Sequence, residues 1–112
     1  MTKTLEIFPI PIKVYSIDIN DNTIEFIKSY QYSSVDNIQS SMSLCQQVLD
    51  DPNLKYLELL IKDCINDYVK TLNHKVNNIE IVSSWLNEFR RNQIIVPHTH
   101  ANSYISGSLY FS

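Results

Sequence analysis

Apolar and polar positions alternate along this chain with a period that changes twice, and the changes mark its elements. Leu5 to Tyr15 (LEIFPIPIKVY) is apolar with no helical spacing and reads as an extended segment. Pro9 and Pro11 cannot donate to a ladder, so the segment is expected either as an edge strand or as an arm laid across the body. Asp21 or Asn22 is placed to cap a first helix reaching about Tyr32, with Ile24, Ile27 and Tyr30 or Tyr32 on one face. The polar, Ser-rich stretch from Ser33 to Ser43 reads as a loop.

The strongest periodicity follows. Asp50 or Asp51 precedes Pro52, the order of cap and first-turn proline that opens helices. Leu54, Leu57, Ile61, Cys64, Ile65, Tyr68, Val69 and Leu72 then recur every three or four residues, predicting an amphipathic helix that ends near Asn73-His74. Such a stripe must be covered, and a sheet face is the natural cover. Beyond Asn78 the period falls to two. Ile79, Ile81, Ser83, Trp85, Asn87 and Phe89 form one face of a strand, and Glu80, Val82, Ser84, Leu86 and Glu88 the other. Arg90 to Gln93 reads as a polar turn, Ile94 to Val96 as a further strand, and Ser103 to Phe111 as another alternating one. Helices and strands segregated in this way predict an α+β domain.

Composition narrows the classes. The chain has 112 residues, enough for one domain, with 44% apolar and 19% charged residues, the balance of a globular protein. A net charge of −3 offers no basic surface for duplex nucleic acid, and no run is long and apolar enough for a membrane helix. The start, Met1 to Thr4, lacks the apolar centre of a secretory signal, so a cytoplasmic location is expected. Gly107 is the only glycine, which excludes phosphate-cradling loops and the nucleotide chemistry they serve. Cys45 and Cys64 are too few for a disulfide framework, and Cys64, inside the helical stripe, reads as a reduced core thiol. Cys64 has no base at matched spacing, and no serine sits in a nucleophile elbow, so hydrolase chemistry is disfavoured.

Chemistry gathers near the C-terminus. In an extended chain, residues two apart share a face, so His98 and His100 project together and both imidazoles can reach one metal ion. Two histidines on one strand form half of the facial site that holds non-haem Fe(II), although the spacing alone does not choose iron over zinc or manganese. His74, at the predicted end of the long helix, is sufficiently explained by the helix dipole. Arg90-Arg91 reads as a solvated turn, and Trp85 as a core or pocket wall.

The residues around the histidines say more. Ser84-Trp85-Leu86-Asn87, followed after a turn by Pro97-His98-Thr99-His100-Ala101-Asn102-Ser103-Tyr104-Ile105-Ser106-Gly107-Ser108-Leu109-Tyr110, resembles the signature of the 2-oxoglutarate/Fe(II)-dependent oxygenases of phages and marine bacteria. The N-terminal portion, a Phe-Pro strand and then two helices, is similar too. The resemblance implies a double-stranded β-helix, or jelly roll. Here the extended arm and two helices would pack on its first strands. It implies His98 and His100 as metal ligands, with Asn87, Asn102, Ser106 and Tyr110 around 2-oxoglutarate or the substrate, and Fe(II) and 2-oxoglutarate as cofactors. The family's distal histidine and its cofactor-clamping Arg or Lys have no counterpart within residues 1–112. With the abrupt aromatic ending at Leu109 to Ser112, this leads us to expect a truncated domain. The alternative expectation is a non-catalytic small α+β protein that associates through its open C-terminal strand edge.

Overall fold

In the computed structural model, residues 2–5, 10–33, 40–72, 75, 78–95 and 97–111 are described. His74, Val96 and most of the Ser-rich stretch expected as a loop lie outside them. The described chain is a small α+β unit with two helices, α1 (Asp21–Lys28) and α2 (Lys55–Thr71), and an antiparallel pair of short strands, β1 (Ser41–Met42) and β2 (Asn87–Glu88).

Helix α1 is capped by Asn20, one residue earlier than expected, whose side chain accepts a hydrogen bond from the Thr23 N–H at 2.8 Å. It stops at Lys28 rather than near Tyr32. The Ser29 hydroxyl donates back to the Phe26 carbonyl and the Tyr30 N–H to the Ile27 carbonyl, closing the last turn. Asp51 does act as a cap, accepting from the Asn53 N–H, but what it opens is a 3-10 turn over Pro52–Leu54 that leads into α2. The apolar stripe of α2 then packs as its spacing requires. Leu54, Leu57, Ile27, Val48 and Leu49 form the buried core, with Ile19, Phe26, Tyr30, Ile61, Ile81, Leu86 and Leu109 packed around it.

Over residues 10–15 the N-terminal segment is an arm laid on α2, and among the described residues it joins no ladder. Tyr68 of α2 donates to the Pro11 carbonyl at 2.7 Å, Tyr15 donates to the Asp67 carboxylate at 2.7 Å, and Lys13 binds both Asp67 and Thr71. Residues 11, 13 and 15 therefore face the helix, whereas Ile10, Ile12 and Val14 are 88–89% exposed.

Two features depart from the sequence pattern. Ser40 and Ser43, expected in a loop, are buried beside β1. Ser43 accepts from the Leu86 N–H at 3.0 Å, donates to the Cys45 carbonyl at 2.8 Å, and donates through its own N–H to the Leu86 carbonyl. Its hydroxyl thus replaces a backbone partner that a longer ladder would have supplied. The second departure is the strand expected over Ile79 to Phe89, which changes phase midway. Ile79 and Ile81 are half-buried and Ser83 is exposed, and from Ser84 onward Ser84, Trp85, Leu86 and Glu88 are all half-buried, so the alternation breaks at Ser83-Ser84. Ser84 is the pivot. Its N–H donates to Gln46, its carbonyl accepts from Val48, and its hydroxyl accepts from the Leu49 N–H at 3.0 Å. Segment 41–49 runs antiparallel to 87–88 and then turns to meet Ser84 in a parallel bridge, so no single register carries through.

The polar turn at Arg90 to Gln93 forms as expected. The Gln93 N–H reaches the Arg90 carbonyl, the Gln93 side chain accepts from the Arg90 N–H, and Asn92 takes the left-handed conformation (φ 67°). Among the described residues no ladder pairs the 103–111 segment, yet its alternation persists: Ile105 and Leu109 are half-buried, and Tyr104, Ser106, Ser108 and Tyr110 are exposed.

Candidate metal-binding site

Residues 97–100 belong to no helix or strand and lead into a turn at Ala101-Asn102. The Ser103 N–H reaches back to the His100 carbonyl, and Asn102 adopts φ 61°, a conformation that Asn tolerates better than most residues. Pro97 fixes the backbone before the pair and this turn ends it. The two imidazoles come together at 4.8 Å between ring centres, nearly perpendicular at 83°. Trp85 lies 5.6 Å from the His100 ring at 38° and so backs one side of the pair.

That spacing is meaningful for a metal. An ion about 2.1 Å from an imidazole nitrogen sits roughly 3.2 Å from the ring centre, so rings 4.8 Å apart subtend about 97° at a shared ion. The value lies between the right angle of adjacent octahedral positions and the tetrahedral angle. Both histidines are exposed, so an ion and its remaining ligands can reach them. Among the described residues no group of three His, Cys, Asp or Glu side chains is placed to hold a metal.

The other residues expected here are spread along the same stretch. Asn87 lies in β2 opposite Met42, Asn102 in the turn after His100, and Ser106 and Tyr110 on the exposed side of the C-terminal segment, Tyr110 at 86% exposure. Nothing fills the space where a side chain on Gly107 would project. The contact of Trp85 with His100 was not foreseen. It joins residues 15 apart, and no local pattern records it.

A second feature lies away from the histidines. Phe26, Ser29, Tyr30, Gln31, Leu44 and Cys45 line an open hollow of about 350 Å³. Phe26 and Tyr30 meet edge to face at 5.8 Å, and burial, then the neighbouring Cys45, raises the Tyr30 phenol above its ordinary pKa. Both cysteines are free, Cys45 exposed and Cys64 half-buried.

In comparison with known proteins, no family model, no curated protein and no solved structure matches the chain. No described helix is long and apolar enough to cross a membrane.

Proposed function

We propose that the chain carries the two-histidine half of the metal site of a non-haem Fe(II)/2-oxoglutarate-dependent oxygenase, with the jelly-roll architecture of that class. The observation that carries this reading is the His98–His100 pair, held at a separation that suits two ligands of one ion, within a Trp85-to-Tyr110 sequence that resembles the family signature. When bound, Fe(II) and 2-oxoglutarate supply the two-electron oxidation of an organic substrate by O2.

The chain's own residues bind and orient. His98 and His100 donate imidazole nitrogen, a borderline ligand suited to Fe(II). Pro97 and the left-handed turn at Asn102 keep both rings on one short stretch, and Trp85 restricts rotation of the His100 ring and screens one side of it from water. Asn87, Asn102, Ser106 and Tyr110 offer the amide and hydroxyl groups that hydrogen-bond carboxylate and carbonyl oxygens.

Trp85 is the only tryptophan, so its emission reports on this place alone. Anaerobic titration with Fe(II) or Co(II) is expected to quench it in the natural chain, and to require at least tenfold more metal in His98→Ala and in His100→Ala. Equal binding by all three proteins would remove the metal assignment.

A further inference from the structure

We propose that His98 and His100 from two copies of this chain converge on one divalent cation, so that a second copy supplies the donors that complete the site. The proposal rests on the reading of His98 and His100 as two donors to one ion, and it describes a closed site. Four imidazoles leave no position open for 2-oxoglutarate or O2, so the dimer is not the form that carries out oxygenase chemistry. Each chain offers two imidazoles at a spacing that suits cis positions of one ion. A four-coordinate Zn(II) or Co(II) takes four donors in tetrahedral array. Two copies about a two-fold axis present two such pairs, and an isologous contact asks nothing of one chain that the other lacks.

The surroundings fit a second copy better than a charged partner. The 21 Lys, Arg, Asp and Glu residues all lie at or before Arg91, so the side chains of residues 92–112 carry no formal charge except on a protonated histidine. Within that stretch Ile94, Ile95, Tyr104, Tyr110 and Phe111 are exposed large side chains. Depletion of charge with enrichment of aromatic residues is the composition of the buried centre of a protein interface. Contact made through these residues desolvates no Lys, Arg, Asp or Glu side chain of their own. His98, Thr99, His100, Ala101 and Asn102 are all exposed, so a second chain can approach the rings directly.

The test combines sedimentation velocity over a concentration series, with Zn(II), with Co(II) or with EDTA, and equilibrium dialysis to count bound metal. The expected result is half an equivalent of metal per chain, doubling of the 13.0 kDa mass, reversal by EDTA, and the intense visible absorption of tetrahedral Co(II). His98→Ala and His100→Ala, exposed positions whose folding is checked by circular dichroism, are expected to abolish the metal-dependent dimer. Ile94→Glu, which leaves the imidazoles intact, is expected to weaken it at least tenfold. One metal per monomeric chain overturns the bridging and leaves the mononuclear site standing. A dimer indifferent to EDTA and to both histidine substitutions also overturns it. Absence of metal binding under every condition overturns both this proposal and the reading on which it rests.

Discussion

Replacing Ser43 with Ala isolates the contact that ties the 40–49 segment to the 84–88 segment. The side chain is buried to 2% exposure, and alanine removes one oxygen without adding bulk. The loss leaves the Leu86 N–H without its side-chain acceptor and the Cys45 carbonyl without its donor. A buried donor left unsatisfied costs about 1–3 kcal/mol and a lost neutral hydrogen bond about 0.5–1.5 kcal/mol. Because Cys45 is exposed, water can replace the second partner but not readily the first. The total is therefore about 1–3 kcal/mol, a large part of the roughly 5–15 kcal/mol that holds a domain folded. Urea unfolding followed by far-ultraviolet circular dichroism reads it directly. With a slope of about 1.5 kcal/mol per molar, the midpoint falls by roughly 0.7–2 M. Ser108→Ala, at an exposed position, serves as the control and is expected to stay within about 0.5 kcal/mol. A Ser43→Ala midpoint within about 0.3 M of the natural chain, at unchanged slope, would refute the claim that this hydroxyl does the work of a ladder partner.

Leu54, at 1% exposure the most buried core side chain, is expected to cost about 2–5 kcal/mol on replacement by Ala, seen as a fall in thermal midpoint. The arm gives a prediction in pH. The hydrogen bond from Lys13, then that from Tyr15, holds the Asp67 carboxyl below its ordinary range, so its share of stability is present above that range and is lost as pH falls through the depressed value. Desolvation, then the bond to Asp67, pushes the Tyr15 phenol up to about 12, so its share is present below the ordinary value of 10.0 and is lost as pH rises through about 12. Asp67→Asn is expected to flatten the acid limb and bring one phenol titration down, both measurable by ultraviolet absorbance against pH.

Where local pattern and tertiary contact agreed, the sequence was legible. The α2 stripe is set by spacing that only a helix satisfies, and every residue from Leu54 to Leu72 in it is buried or half-buried. The arm was legible as one of two options because Pro9 and Pro11 exclude it from a sheet centre, and the side chains of Lys13 and Tyr15 decided between them. The cap of α1 was missed by one residue because Asn20, Asp21 and Asn22 are all competent caps and only the Thr23 N–H selects among them. The Ser-rich stretch misled for a physical reason. A serine that satisfies buried backbone groups looks, in composition, like one that faces water. The pairing of His98 with His100 followed from their spacing alone, but the Trp85 contact joins residues 15 apart and no local pattern records it.

The pivot at Ser84 also sets how this chain folds. Its contacts to Leu49 span 35 positions and that of Ser43 to Leu86 spans 43, with the whole of α2 inside both loops. A helix can form its own hydrogen bonds early, but these serine contacts cannot exist until the intervening chain has closed upon itself. Closure entropy grows only with the logarithm of loop length, about 0.6 kcal/mol for each doubling. Extra residues within either loop therefore cost little in closure entropy. A change at Ser43 or Ser84 would instead slow assembly to the extent that the transition state has already closed the loop.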